Sequence, residues 1–402
     1  MSAEDSIRWL PVGEVGDVRM GKQLSPSSRA NGEQFPYLRV ANVLDGRIDY
    51  SDVKLMGFTQ SEREAYALQP GDILLNEGQS LELVGRSAIY RGPAAAFCFQ
   101  NTIVRFRAGG LVLPEYAQAV FSRWLSTGVF ASIAKKTTSI AHLGGDRFAK
   151  LLFPVRSLAE QQYIVEMIAA SSAEERLMEE SITKLRATRA GVVEALLSRS
   201  VWGVSLGEVL SGAPRNGYSP TATQEWTGVQ VLGLGCLTSD GFAPRQLKNA
   251  PPTVMPGHYA MLRDGDLLMS RANTRDLVGL AGVYRGSGTP SIYPDLMMRL
   301  TPAEGWSAEA LEVVLRSQCA RRQIRALAQG TSESMVKISG RSIQAISLPA
   351  LSIQDQEQLL IAVSSFDQRL EQEDLRLAKL RTVRQGLVDD LLSGRVRVPG
   401  AV

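Results

Sequence analysis

The sequence predicts an α+β protein assembled twice over in one chain: a globular domain of mixed α/β structure followed by a long helix, then the same again. Three observations carry this. Blocks of sequence recur at separations of 194 and 195 residues, and each copy closes on the same helix-starting signal. From each signal, apolar residues continue at alternating spacings of four and three for about 40 positions.

The first block reads GDILLNEGQSLELVGRSAIYRG at 71–92 and GDLLMSRANTRDLVGLAGVYRG at 265–286, aligned without a gap. Gly71, Asp72, Leu74, Leu83, Val84, Gly85, Tyr90, Arg91 and Gly92 recur as Gly265, Asp266, Leu268, Leu277, Val278, Gly279, Tyr284, Arg285 and Gly286. The second block reads FPVRSLAEQQ at 153–162 and LPALSIQDQE at 348–357. Its offset also carries Lys184-Leu185-Arg186 onto Lys379-Leu380-Arg381, and Leu196-Leu197-Ser198 onto Leu391-Leu392-Ser393. Between the blocks the copies diverge: KQLSPSSRANGEQF at 22–35 is unlike APRNGYSPTATQEWTG at 213–228, and NEGQSLE at 76–82 is unlike SRANTRD at 270–276. A shared framework with different loops is expected of two copies that keep one fold and recognise two different things.

The resulting division is 1–153, first globular domain; 154–201, central helix; 202–348, second globular domain; 349–402, C-terminal helix and tail. Short β-rich runs (YLRVANV, DILLNEG and TIVRFRA; VQVLGLG, DLLMSRA and MMRLTPA) are separated by Gly, Pro and Asp turns. The Gly-Asp pairs Gly71-Asp72 and Gly265-Asp266 read as turns that start a strand. One amphipathic helix then follows in each copy, EYAQAVFSRWLSTGVFASIAKK and AEALEVVLRSQCARRQIRALAQ.

Pro154 and Pro349 precede the long helices and stop the preceding segment from running on as helix. Ser157 with Glu160 forms a capping box, in which the serine satisfies an orphan N–H and the acid reaches back to the cap; Ser352 with Asp355 is its close variant. Positions at the 4-3 spacing are Ile164, Ile168, Ser171, Glu175, Met178, Ile182, Leu185, Arg189, Val192 and Leu196 in the first helix. In the second they are Leu359, Val363, Phe366, Leu370, Glu373, Leu377, Leu380, Arg384, Leu387 and Leu391. A mostly apolar heptad seam with charged flanks predicts a coiled coil. An antiparallel pairing of the two helices places the globular domains at opposite ends, related by a pseudo-twofold axis. The alternative is that each helix packs on its own domain. A helix of about 40 residues and roughly 60 Å outruns a 150-residue domain of about 30 Å, which favours the pairing.

Composition narrows function by exclusion. Of 402 residues, 44% are hydrophobic and 21% charged, ordinary for a soluble globular protein. No run of 18 apolar residues predicts a membrane span, and MSAEDSIRWLPVG lacks the basic and apolar regions of a secretory signal. Cys98, Cys236 and Cys319 are odd in number and far apart, which predicts reduced thiols and a cytoplasmic location. Two histidines, His142 and His258, leave little room for a histidine-based metal site or relay. A net charge of +3 permits nucleic-acid binding without establishing it.

The search for chemistry finds no complete constellation. Gly16-Asp17-Val18-Arg19-Met20-Gly21-Lys22-Gln23 matches a phosphate loop, but Gln23 stands where Ser or Thr holds Mg²⁺, and the second copy has no counterpart. Asp72 with Glu77 suggests a nuclease pair, but no lysine follows at the needed spacing, and the copy lacks the glutamate. The chain therefore reads as a non-catalytic binding subunit with no metal or cofactor of its own.

The terminal Pro-x-x-Ser-x-x-Glu/Asp-Gln blocks, the KLR…LL helix ends, the PGDIL…VGR…YRG core and the closing LLSGRVRVP resemble the specificity subunits of type I restriction-modification systems. The resemblance covers nearly the whole chain, with Asp355 as a mild departure from the usual Glu. It implies two target-recognition domains, each reading one half of a bipartite, asymmetric site in double-stranded DNA. It implies helices that set half-site separation and dock modification subunits, expected to be two, that carry S-adenosylmethionine chemistry. It also implies a restriction subunit supplying Mg²⁺-dependent ATP hydrolysis and cleavage, within a DNA-methylation and phage-defence complex that needs no membrane.

On that reading, DNA-contacting candidates lie in the divergent loops and in one basic loop per domain. They are Lys22, Gln23, Asn76, Gln79, Lys135, Lys136, Thr137 and Thr138 in the first domain. In the second they are Arg215, Asn216, Tyr218, Arg271, Asn273, Arg275 and Lys337. Arg and Asn suit bidentate contacts to guanine and adenine respectively. Two rivals stand beside this reading: a coiled-coil adaptor that binds proteins, and a nucleotide hydrolase working through Gly21 and Lys22.

Overall fold

A computed structural model describes residues 7–25, 33–137, 140–255, 257–286, 288–330 and 335–396. The chain forms two compact units, residues 1–178 with 377–402, and residues 179–376.

In the first unit the framework is a four-stranded antiparallel sheet. Its order is Gly16–Met20, Ile103–Ala108, Ile73–Asn76, Ser87–Ile89. Ile73–Asn76 is buried throughout because both of its faces are covered. Ile73 and Leu75 enter a core with Phe106, Phe121, Phe130 and Phe148, whereas Leu74 enters another with Tyr90, Phe99 and Ile103. The phenylalanines meet edge to face, Phe106–Phe121 and Phe121–Phe148 both at 5.2 Å. A smaller sheet orders Lys54–Phe58, Glu33–Leu38 and Cys98–Phe99, the last pairing parallel.

The second unit repeats this scheme in the order Arg215–Asn216, Met297–Leu300, Leu267–Ser270, Ala281–Val283. Leu267 and Met269 again face one core, and Leu268 the other. Gln230–Leu232 pairs with Leu247–Asn249 and, in parallel, with Ser291–Ile292. In each unit an antiparallel strand pair closes the globular part just before a long helix begins. These pairs are Arg8–Pro11 with Leu152–Val155, and Trp202–Ser205 with Ser347–Pro349.

Two expectations need correction. The single amphipathic helix expected in each copy is two helices. Pro114–Ser126 and Val129–Ile133 are separated at Gly128, whose φ of 76° ends the first turn run. Ala308–Arg316 and Gln318–Leu327 are separated at Ser317, which is extended and caps the second helix through Ala320 N–H. The Lys135–Lys136 end of the first stretch is strand, not helix.

The motifs shared by the copies now have physical causes. Gly71 and Gly265 have φ of 94° and 91°. The aspartate after each accepts a turn hydrogen bond, Asp72 from Gln69 N and Asp266 from Arg263 N. Gly85 and Gly279 also have positive φ, and a Cβ on either would lie 2.3 Å from Phe130 or Ile324.

The long helices span Leu158–Leu197 and Ile353–Ser393. Both capping boxes form: Glu160 N donates to Ser157 Oγ at 3.2 Å and Ser157 N to Glu160 Oε2 at 3.1 Å. Asp355 N donates to Ser352 Oγ at 3.1 Å and Ser352 N to Asp355 Oδ2 at 2.9 Å. Every residue at the 4-3 spacing in either helix is buried or half-buried. Within the first unit, Glu175 binds Arg381 at 2.6 Å and Arg384 at 2.9 Å, and Arg156 donates to Leu391 O at 3.0 Å. Within the second, Arg189 binds Asp367 at 2.6 Å, Arg186 binds Asp374 at 3.1 Å, and Val193 and Leu197 share a core with Leu359 and Val363. In both units, partners rise in one helix as they fall in the other. No helix among the described residues is long and apolar enough to cross a membrane.

Candidate nucleic-acid interface

The divergent loops gather at one end of each four-stranded sheet. In the first unit Met20, Asn76 and Ile103 mark that end, with Met20 paired to Val104 and Asn76 to Ile103. From it project Lys22–Gln23, residues 100–102 and residues 77–79, stitched by Asn101 N to Lys22 O at 3.0 Å and Glu77 N to Thr102 O at 2.9 Å. A third ribbon completes the strip: Lys135–Lys136 pairs with Ala141–His142, which pairs with Gly78–Gln79. Gln79, Lys135, Lys136 and Thr137 are thereby brought together, the two lysines and Thr137 exposed and Gln79 half-exposed. Thr138 lies outside the described residues.

Two candidates of the first unit are otherwise engaged. Asn76 is wholly buried, and its Nδ2 donates to Val43 O at 3.1 Å, so it supports the strip from beneath. Lys22 donates to Glu62 Oε2 at 2.6 Å and Gly57 O at 2.7 Å, with Phe58 4.9 Å from its ammonium. Lys22 in turn holds the Glu62 carboxyl below its ordinary pKa, helped by the backbone hydrogen bond at Thr59. Gln23 beside it is exposed.

Neither the phosphate-loop nor the nuclease reading finds its geometry among the described residues. Gly16–Met20 is an edge strand of the sheet, paired only to Ile103–Ala108, and residues 21–25 after it are not helical, so no helix N-terminus stands at Gly21-Lys22 to cradle a phosphate. Asp72 and Glu77 sit at opposite ends of the Ile73–Asn76 strand. Asp72 is clamped by Arg107, and Glu77 Oε2 lies 3.0 Å from His142 Nδ1. Among the described residues no group of three His, Cys, Asp or Glu could hold a metal ion.

The second unit presents the same strip with other side chains. Asn216 pairs with Met298, and Ser270 with Met297, so Tyr218, residues 294–296 and Arg271–Asn273 share one end. The Ala272–Asn273 strand pairs with Val336–Lys337. Arg215, Asn216, Tyr218 and Lys337 are exposed, and Arg271, Asn273 and Arg275 half-exposed. The turn carrying Arg275 is fixed from inside by Arg321, which donates to Val278 O at 2.7 Å and Asp276 O at 2.8 Å. Burial pushes the Arg321 pKa down to about 10.

Several residues of these strips escaped the sequence. Tyr218 packs 5.0 Å from His258, and His258 4.6 Å from Tyr259, an aromatic row in which both tyrosines are exposed. Adjacent His258-Tyr259 was the available signal, but nothing tied it to Tyr218 some 40 positions earlier. His142 was likewise visible only as an isolated residue, and Glu77 only beside Asp72, from which the Ile73–Asn76 strand separates it.

The comparisons place this geometry. A chain solved in work on complex assembly and conformational transition of the type I R-M system matches the fold with a TM-score of 0.62. That match is 17% identical and covers 96% of this chain and 97% of that one. Residues 9–187 match the family described as Type I restriction modification DNA specificity domain. Over that stretch the chain is similar to the specificity family. The type I restriction enzyme EcoKI specificity subunit of Escherichia coli (strain K12) is 23% identical over 182 residues, 45% of this chain and 39% of that protein. The matched stretch thus spans 39% and 40% of the two curated relatives it aligns with.

Proposed function

We propose that this chain reads a bipartite, asymmetric DNA site for a type I restriction-modification complex. Residues 1–153 and 202–348 act as the two target-recognition domains. The observation that carries the reading is the pair of equivalent strips: one backbone framework, occurring twice, presents different side chains at the same end of each sheet. Phosphate contacts from exposed cations such as Lys135, Lys136, Arg215 and Lys337 position each domain, and neighbouring polar side chains read base edges.

Residues 154–201 and 349–402 pair as an antiparallel coiled coil with pseudo-twofold symmetry and set the separation of the half-sites. The ion pairs Glu175–Arg384 and Arg189–Asp367 support this, since Arg189 and Arg384 are equivalent in the duplication and each meets an acid on the other helix. The helices dock two modification subunits, which bring S-adenosylmethionine, and a restriction subunit brings ATP and Mg²⁺. The chain itself performs no bond-making step, and the complex acts in the cytoplasm.

The test is methylome sequencing of the source strain with the gene intact, deleted, and carrying a relative's domain in place of residues 1–153. The expected result is a two-part methylated motif that disappears on deletion and changes in one half only on exchange. An unchanged motif after the exchange overturns the reading.

A further inference from the structure

The two strips share the same backbone hydrogen bonds and strand register at their centre, yet are opposite in charge there. Glu77 N donates to Thr102 O and Leu143 N to Glu77 O, at 2.9 and 2.8 Å. Arg271 N donates to Leu296 O and Ile338 N to Arg271 O, at 2.7 and 2.9 Å. His142 pairs across from Gly78, and Lys337 across from Ala272. Position 77 therefore corresponds to 271, and 142 to 337. The first unit places a carboxylate bonded to an imidazole there, and the second a guanidinium beside an ammonium.

From this juxtaposition we infer that Glu77–His142 and Arg271–Lys337 are the specificity-determining pairs of the two domains. The first takes a base edge that presents an exocyclic amine, cytosine N4 or adenine N6, and the second takes guanine through its O6 and N7. The inference rests on the DNA-reading function proposed above.

The chemistry follows from donor and acceptor inventories. An ionised carboxylate only accepts, and it has more lone pairs than the single hydrogen bond to His142 Nδ1 uses. In the major groove the matching donors are the amines of cytosine and adenine. A guanidinium only donates, in a fork whose spacing matches guanine O6 and N7. Among the described residues no ion pair engages Arg271 or Lys337, whereas Arg275, one turn on, donates to Arg325 O. Reversal of charge on a shared hydrogen-bonding framework lets two copies of one domain reject each other's half-site.

The experiment selects bound sequences from randomised duplexes with the full chain, co-purified with its modification subunit. Affinity is then measured on the selected site carrying single-atom changes. Substituting 7-deazaguanine, which lacks N7, in the second half should weaken the wild type about tenfold and leave Arg271→Ala unmoved. Substituting a base that lacks the exocyclic amine in the first half should weaken the wild type similarly and leave Glu77→Ala unmoved. Arg271→Lys keeps the charge but should lose the guanine preference. Melting curves matching the wild type identify variants that still fold, and the substituted duplexes test the wild type even where a variant does not.

If the variants lower affinity equally for all sequences and only flatten the salt dependence, these residues hold phosphates and the inference is overturned. Wild-type affinity indifferent to both base substitutions overturns it as well. Absence of any enriched motif from the wild type instead defeats the underlying DNA-reading function, so the two failures are distinguishable.

Discussion

Arg107 clamps Asp72 with two hydrogen bonds, Nε to Oδ1 at 2.6 Å and Nη2 to Oδ2 at 2.8 Å. The Asp72 side chain is fully buried while the Arg107 side chain keeps 40% of its surface, and the bond to Asp72 is the main reason the arginine's pKa is raised. The burden is therefore unequal. Arg107→Ala leaves a buried, uncompensated carboxylate and should cost about 3 kcal/mol. Asp72→Asn leaves an arginine that water can reach and should cost about 1 kcal/mol. Denaturant midpoints of the two variants measure the ordering, and a larger loss for Asp72→Asn would contradict it. In the second unit Asp266 is held by a single hydrogen bond from Arg299 at 3.1 Å, an arginine at the strand position of Arg105 rather than of Arg107.

The glutamine after each capping-box acid is a second such joint. Gln161 Oε1 accepts from Leu113 N at 2.8 Å, and its Nε2 donates to Leu111 O and Arg156 O at 2.8 and 2.9 Å. It thereby fastens the start of the long helix to the start of helix Pro114–Ser126. Gln356 does the same through Ser307 N at 3.0 Å and Gly305 O at 2.8 Å, but its third contact, to Leu351 O, stretches to 3.5 Å. Truncation strands buried backbone groups, so Gln161→Ala should cost about 2–3 kcal/mol and Gln356→Ala somewhat less. Calorimetric or chemical unfolding of the two variants checks the order.

These joints mark the boundary of what sequence could tell. The duplication, the strand runs and the helix starts were legible because each is a local pattern: a Gly-Asp turn, an apolar run, a Ser-x-x-Glu box. The seam positions were legible because helical periodicity fixes which side chains face inward. Arg107, Gln161 and the His142–Glu77 pair were not, because their partners lie 35, 48 and 65 positions away. Asn76 misled for the same reason, since its strand position resembles a loop end until Val43 is found above it. Of the candidate interface, Lys135, Lys136 and Thr137 could be named from sequence, but their placement beside Gln79 depends on a ribbon that only the fold assembles.

Gly85 separates two costs that are usually confounded. Its φ is 83°, and a Cβ would meet Phe130 at 2.3 Å, whereas Gly46 at φ 66° has open space around it. Gly46→Ala should therefore show the backbone penalty alone, about 1 kcal/mol. Gly85→Ala should add about 1–3 kcal/mol for overpacking against the phenylalanine. Equal melting losses for the two would remove the steric explanation for the recurrence of this glycine at Gly279.

Burial pushes the Cys98 thiol up to about 12 from an ordinary value of 9.0, and Cys236 upward also, again through desolvation. Both are buried, and Cys319 is half-exposed. The raised folded-state value means the folded chain holds its proton longer than the unfolded one. This contribution to stability is complete below about pH 9 and is lost as pH rises toward 12. Native alkylation at pH 8 should thus label Cys319 alone, with Cys98 and Cys236 labelled only after denaturation. Mass spectrometry of the tryptic peptides reads this directly, and early labelling of Cys98 would refute its placement beneath Met56 and Phe58.

Lys135 and Lys136 provide a test of the strip as a DNA-facing surface. Both are exposed on a ribbon whose other members, Ala141–His142 and Gly78–Gln79, hold it against the sheet end. A phosphate contact releases one counterion, so each lysine engaged lowers the slope of log K against log salt by about 1. Lys135→Ala/Lys136→Ala should therefore weaken binding of the selected site severalfold at low salt and flatten that slope by about 2. The sequence preference should stay as it was, because an ammonium that meets phosphate carries no base information. Binding isotherms at four or five salt concentrations decide the matter. An unchanged slope would place the DNA elsewhere on the first unit, and a changed motif would make these lysines readers of bases rather than anchors.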